Sequence, residues 1–224
     1  MPLYTYCVVP AAHRVPALLT GIDNASVMAL SSPQISAWVS HHELRPEPSL
    51  ERIQAHDRVV QAAISPDVTP VPVRFGQWLD KAALEQHLSE QAARYCTCLE
   101  KVAGALEFGI RVLDSQRSAR LLPRKLAASG RAYMSALREE YRGREQSESE
   151  SNVLRDRIRQ SLAALTRAEQ FESAQDAHGM LSVVHLVEHA QHGSYRAAVH
   201  RLREQLPHLR FLVSGPWPPY SFVN

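Results

Sequence analysis

The chain has 224 residues, with 25 Lys and Arg against 23 Asp and Glu for a net charge of +2, and 45% of its residues are hydrophobic. That balance excludes disorder of the whole chain, which requires low hydrophobicity and high net charge, and it disfavours a grip on nucleic acid through bulk charge. At roughly 150 residues per domain the length fits one large domain or two small ones.

The cations are lopsided, 22 Arg to 3 Lys. GC-rich coding would give that ratio, and so would a preference for the planar, weakly hydrated guanidinium at interfaces. No apolar run approaches the roughly 20 residues that cross a bilayer. The opening MPLYTYCVVP has no basic n-region of the kind a signal peptide carries. Cys7, Cys96 and Cys98 are an odd set that reads as reduced thiols in a cytosolic protein.

Leu3–Val9 alternates and is rich in Tyr and Val, which predicts a first strand ended by Pro10. Residues 11–24 read as loop with a short helical turn. Ser26–Leu30 and Ile35–Val39 form two short strands around the turn signal Ser31-Ser32-Pro33, a candidate hairpin. Ser49 caps a helix over Leu50–Ile64, with Leu50, Ile53, Val60 and Ile64 at helical spacing and Pro66 as its stop. Val71 and Val73 lie in a proline-bounded extended stretch closed by Arg74-Phe75-Gly76. Asp80 caps the next helix, which runs to Val102 on the stripe Leu84, Leu88, Tyr95, Leu99 and Val102, with Gly104 as breaker.

Leu106, Phe108, Ile110 and Val112 alternate with Glu107, Gly109 and Arg111 as a half-buried strand. A long helical region is expected from Ala119 or Gly130 to Phe171. It carries Tyr133, Leu137 and Tyr141 on one stripe and Leu154, Ile158, Leu162 and Leu165 on another. The apolar-free stretch Arg142–Asn152 between them is either a solvated part of one helix or a joint between two. Met180–Val187 reads as a central strand, Ser194–Leu206 as a helix with Tyr195, Val199, Leu202 and Leu206 inward, and Leu209, Phe211 and Val213 as a last strand. With a weak strand in Glu172–Ala177 the second half is βαββαβ, the ferredoxin-like order. The fold class is therefore α+β, with an N-terminal α+β domain over 1–104 and a C-terminal ferredoxin-like domain with a long helix over 105–224.

Phosphate-cradling loops, HExxH, GxSxG and CxxC motifs are all absent, so no catalytic residues, metal or cofactor are expected, although a ferredoxin-like scaffold does not by itself exclude an enzyme with a histidine site. His185, Glu188, His189 and His192 straddle a strand end and a loop and do not converge as ligands would; His185 is expected to face the sheet core. His56 and Asp57 are neighbours on a helix and diverge by about 100°, so they do not form an acid–base pair.

Three segments offer binding chemistry. Residues 115–138 hold Arg117, Arg120, Arg124, Lys125, Arg131 and Arg138 without an acid. They form either a solvated helix face or a surface for an acidic partner or a nucleic-acid backbone, which would make the protein a nucleic-acid or regulatory binder. Pro70–Trp78 (PVPVRFGQW) brings Arg74, Phe75 and Trp78 together on a backbone restricted by Pro72 and Gly76; Arg and Trp are common interface anchors. In Gly215–Phe222 (GPWPPYSF) prolines stiffen a display of Trp217, Tyr220 and Phe222 and block continued strand pairing. Such a tail either straps onto its own protein or docks into a partner at low entropic cost.

The segments VPVRFG (71–76) and GPWPPYSF (215–222) resemble the gas vesicle protein F/L family. The tyrosine-rich Tyr4–Val9, the HDRVV of His56–Val60, Tyr133 and Leu181–Val187 extend the likeness over almost the whole chain. Two positions depart from the usual family pattern: Cys7, where a glycine is common, and Ser214, where threonine is. The resemblance implies a non-enzymatic accessory or minor structural protein of gas vesicles in the cytoplasm. It implies two domains, the second ferredoxin-like. As partners it implies the small, very hydrophobic main wall protein, whose aggregation it would limit during nucleation and assembly, and other gas vesicle accessory proteins, with no role for nucleic acid or membrane. The near-neutral charge agrees with a hydrophobic partner that needs no strong charge steering.

Overall fold

A computed structural model describes residues 2–114, 149–172 and 179–223. The basic run 115–138, with Arg117, Arg120, Arg124, Lys125, Arg131 and Arg138, lies outside the described residues, as do Tyr133 and most of 142–152. The described strands are β1 (Pro2–Pro10), β2 (Met28–Ser31), β3 (Ile35–His41), β4 (Val71–Pro72), β5 (Trp78–Asp80), β6 (Ala105–Asp114), β7 (Ala168–Glu172), β8 (Gly179–Glu188) and β9 (Leu209–Trp217). The helices are α1 (Leu50–Ala62), α2 (Lys81–Glu90), α3 (Ala92–Val102), α4 over 149–162 and α5 (His192–Gln205).

The chain forms two units: Met1–Phe108 with Leu186–His189 and Gly215–Asn224, and Gly109–His185 with Ala190–Ser214. In the first unit a sheet runs β2-β3-β1-β4, with β5 also paired to β1. Every residue of β1 from Leu3 to Val9 is buried, as suits a central strand covered on both faces. Tyr4, Tyr6 and Trp38 pack with Ala55, Val59 and Val60 of α1, whereas Leu3, Val8 and Val39 pack with Leu84, Leu88 and Leu99 of α2 and α3. A β-bulge between Thr5 and Cys7 breaks the period of two, so Tyr6 and Cys7 enter the same core.

α1 starts where expected, with the Ser49 hydroxyl accepting from the Arg52 amide at 3.2 Å. Its buried face differs: Leu50 and Ile53 are exposed, and Ala55, His56, Val59 and Val60 are inside. The small Ala55 permits close approach, and His56 is tolerated because both ring nitrogens find partners. The helix expected over 80–102 is two helices. Gln91 leaves helical geometry (φ −99°, ψ 6°), and Asp80 ends β5 instead of capping α2 with its side chain. Gly104 follows with φ +65°, a conformation that favours glycine.

In the second unit the strand order β7-β8-β6-β9 is that of a ferredoxin-like βαββαβ sheet. Leu154, Ile158 and Leu162 of α4 and Tyr195, Ala198, Val199 and Leu202 of α5 are buried, at the expected i, i+4 spacing. The helix does not reach Phe171. It ends at 162, passes through a 3-10 turn at Ala163–Leu165, and Ala168–Glu172 joins the sheet as β7; sheet pairing there overrides local propensity. β7 thus lies upstream of the weak strand expected at Glu172–Ala177, most of which is outside the described residues. In β9 only Phe211 is buried and Val213 is exposed, and pairing continues through Pro216 to Trp217, so the first tail proline does not stop the strand.

Two glycines give opposite expectations. A Cβ on Gly21 would fall 2.1 Å from the Tyr6 hydroxyl, which is itself bonded to the Ile22 amide at 3.0 Å and cannot step aside freely. A Cβ on Gly193, in α5, would meet nothing within 4 Å. Gly21→Ala is expected to cost about 1–3 kcal/mol through overpacking, and Gly193→Ala to add about 0.5–1 kcal/mol through helix propensity. Urea midpoints for the two variants check both; equal shifts would contradict this packing.

Candidate interaction surface

β4 and β5 both pair with β1, but not in one register. Val71 and Pro72 face Val8 and Cys7, and Trp78–Asp80 face Tyr4–Pro2. The Val73 amide donates to the Tyr6 carbonyl and the Thr5 amide to the Gln77 carbonyl, which extends each ladder by one residue. The register therefore jumps by three residues. Those three, Arg74, Phe75 and Gly76, stand off the sheet edge as an arch, opposite the bulge in β1.

The arch is held from beneath by a polar chain. The Gly76 amide donates to the Tyr4 hydroxyl at 3.1 Å. That hydroxyl is 2.9 Å from His56 Nδ1, and His56 Nε2 is 2.9 Å from the Val73 carbonyl. A carbonyl can only accept, so Nε2 carries the proton, Nδ1 accepts, and Tyr4 donates. The imidazole is thereby fixed as one neutral tautomer, and burial depresses its pKa to about 4. Burial likewise pushes the Tyr4 hydroxyl up. Arg45 adds a bond from above, its guanidinium donating to the Gly76 carbonyl at 3.0 Å, and Gly76 takes φ +95°.

The arch directs its side chains differently. Phe75 is half-buried, its ring 5.6 Å from Tyr4 in an edge contact and 5.9 Å from His56 in a tilted one. Arg74 points out and has no polar partner among the described residues. Trp78 is spent internally: it packs on the Tyr4–Trp38 core and its indole donates to the His42 carbonyl at 3.1 Å.

The tail divides in the same way. Pro218, Pro219 and Phe222 are buried in the first unit. Lys101 donates to the Phe222 carbonyl at 2.8 Å and sits 5.9 Å above its ring. Glu107, which the alternation of β6 places among the outward residues, is buried, and its carboxylate accepts from the Ser221 amide at 2.8 Å and the Ser221 hydroxyl at 3.0 Å. Gly215 lies so close to the Glu107 carbonyl that a Cβ would approach it to 2.6 Å. The tail is thus a strap on its own unit. It leaves Trp217 45% exposed and Tyr220 half-buried.

Arg74, Phe75 and Tyr220 meet at an open groove of about 640 Å³, floored by His56 and bordered by Ile53, Asp57 and Arg58 of α1. Arg74 and Tyr220 are also the wall of a second groove of about 240 Å³, lined by Val71, Val73, Leu84, Arg94 and Tyr95 among others. Of the six candidate contact residues, Arg74, Phe75 and Tyr220 are brought together, Trp217 is exposed outside both grooves, and Trp78 and Phe222 serve the fold. Outside those six, His56 and Arg58 also line the larger groove, and Glu107 anchors the strap. The helical face of α1 could have pointed to the first two, but no local pattern points to Glu107.

Elsewhere, His185 lies buried in the second unit with Nδ1 2.8 Å from the Tyr195 hydroxyl and its pKa depressed to about 4 by burial. Among the described residues no group of three or more His, Cys, Asp and Glu is placed to hold a metal ion.

Fold and surface together define a two-unit α+β protein with an open groove of mixed apolar and cationic lining. The chain belongs to the gas vesicle F/L family: the family described as "Gas vesicle synthesis protein GvpL/GvpF" matches residues 2–224. It is a family of gas vesicle proteins and not a known enzyme family. The chain is 26% identical to gas vesicle protein F2 of Halobacterium salinarum over 99% of its length and 92% of the relative. It is 27% identical to gas vesicle protein L of a Streptomyces species over 76% of its length and 68% of the relative. Its fold is that of the crystal structures of GvpF from Anabaena (TM-score 0.79, 17% identity, 100% of this chain and 96% of that one) and from Microcystis aeruginosa (TM-score 0.75, 18% identity, 100% and 99%).

Two expectations follow from the clamps. His56 has a folded pKa below its unfolded value, so the unfolded chain binds the extra proton. The stabilisation is full above about pH 6.5 and is lost as pH falls toward 4, at about 1.4 kcal/mol per pH unit. His56→Gln, which keeps a donor and an acceptor, is expected to be less stable than the parent at pH 7.5, with a deficit smaller by about 2 kcal/mol at pH 5. Urea unfolding at the two pH values checks this, and parallel pH curves would contradict it. Ser221→Ala is expected to cost about 1–2 kcal/mol and to speed amide exchange in 220–223 while leaving β1 amides protected, as read by mass spectrometry.

Proposed function

We propose that this protein is a non-enzymatic accessory or minor structural protein of cytoplasmic gas vesicles that binds the hydrophobic main wall protein and limits its aggregation during nucleation and assembly. The observation that carries this reading is the convergence of Arg74, Phe75 and Tyr220 on one groove in a chain of the gas vesicle F/L family. A subunit that lines a gas-filled shell exposes apolar surface before it assembles. Its binder needs apolar contact area with little entropy left to lose. The arch and strap supply that: each presents an aromatic ring on a backbone already fixed by hydrogen bonds. Trp217, exposed beside the strap, extends the apolar surface. No helix among the described residues is long and apolar enough to cross a membrane. Other gas vesicle accessory proteins are further partners in this reading.

The purified wall subunit is expected to co-purify with the immobilised full chain. Arg74→Ala and Trp217→Ala are each expected to weaken capture by about fivefold or more, the range of a contact worth at least 1 kcal/mol. No capture by the intact chain would overturn the reading, and unchanged capture by both variants would move the contact surface elsewhere.

A further inference from the structure

The charged residues lining the two grooves are three arginines, Arg58, Arg74 and Arg94, against one acid, Asp57. All three guanidiniums are exposed and have no hydrogen-bond or ion-pair partner among the described residues. This contrasts with Arg52 and Arg45 of the same unit, which are engaged by Asp23 and by the Gly76 carbonyl. The arginines are also ordered in space. Arg58 borders the larger groove, Arg94 the smaller, and Arg74 stands with Tyr220 on the ridge that both grooves share. The Tyr220 hydroxyl likewise has no hydrogen-bond partner among the described residues.

The geometry points to a single partner segment lying across both grooves, and we infer that it is an acidic amphipathic segment: apolar side chains enter the grooves on either side of the ridge, and carboxylates meet Arg58, Arg74 and Arg94. The apolar floors supply Phe75 and the ring of Tyr220 on one side, and Val71, Val73 and Leu84 on the other. The ridge is where a carboxylate is read best, because a guanidinium accepts it in a bidentate fork and the neighbouring phenol donates a further bond. Charges at the rim of an apolar groove act mainly on encounter rate, salt dependence and rejection of the wrong partner. A segment with basic residues at the same places meets three like charges and is excluded. The ridge is built for reuse of one geometry, since the arch is pinned through Tyr4 and His56 and the strap through Glu107 and Ser221.

This inference rests on the wall-protein reading for the partner's name but not for its chemistry, so two probes are used with the full chain. The first is a synthetic helical peptide of Leu, Ala and Glu with Leu on one face, compared with the same peptide carrying Lys for every Glu. The Glu peptide is expected to bind about tenfold or more tightly than the Lys peptide at low salt, with the difference shrinking as salt rises. Arg58→Glu/Arg94→Glu, at two exposed positions outside the core, is expected to remove that preference. Equal binding of the two peptides, or a preference that survives the double substitution, overturns the inference. The second probe is the wall subunit. If it is captured but the double variant binds it within about twofold of the parent, the inference falls and the wall-protein reading stands. If the wall subunit is not captured while the Glu peptide binds through the arginines, the groove's chemistry is supported and the reading of its partner falls.

Discussion

The hydrogen-bond chain from the Gly76 amide through Tyr4 to His56 and on to the Val73 carbonyl is the constraint on which the surface depends. It joins the central strand, the first helix and both ends of the arch through one neutral imidazole. Each member satisfies the next, so no polar atom in the chain is left without a partner, the condition under which a buried network rigidifies a site instead of weakening it. Its donor directions admit a single arrangement, because the terminal acceptor is a carbonyl. The arch therefore has one geometry on offer, and Arg74 and Phe75 project from a backbone with little freedom left to lose.

That chain exists because the strand beneath it is irregular. In a regular β1 the side chains of Tyr6 and Cys7 would point to opposite faces. The bulge turns both toward α1 and places Tyr4, Tyr6 and His56 in mutual ring contact. On the other edge of β1 the same place absorbs the three extra residues of the arch. One strand defect thus serves the core on one side and the surface on the other. Bulges recur where a sheet must re-aim a side chain, and here what is re-aimed is the segment that carries the cation.

Local pattern was a good guide to element type and a poor guide to faces and polar partners. Alternation and proline punctuation located β1, the β2–β3 hairpin, α1, β6, β8, α5 and the start of β9, and the βαββαβ order of the second half follows from them. Leu50 and Ile53 misled because hydrophobic spacing marks a stripe without saying which neighbour exists to cover it. The α2–α3 break carries no glycine or proline, and β7 emerges only through pairing with β8. The aromatic segments 70–78 and 215–222 were legible as displays, but the division of labour within them was not. That Trp78 and Phe222 face inward while Arg74 and Tyr220 face the grooves is decided by long-range partners, His42 for one and Lys101 for the other. Glu107 reads as a solvated residue of an alternating strand, and only the arrival of Ser221, far along the chain, makes its burial tolerable.

Net charge is the quantity whose meaning changes most between sequence and structure. A sum of +2 over 224 residues describes a chain with no bulk field to speak of. At about 8–10 Å of Debye length in physiological salt, however, a partner senses only the charges near its footprint. Over the two grooves that footprint contains three unpaired guanidiniums and one carboxylate. Neutrality of the whole and polarity of the patch are compatible. The first leaves no bulk field to gather polyanions, and the second is what would orient one apolar segment among many. An apolar groove alone would grip any hydrophobic chain it met, including misfolded ones. For a binder of exposed apolar surface, as proposed for this protein, selectivity comes from the few charges at the rim, and the arch holds the central one in place.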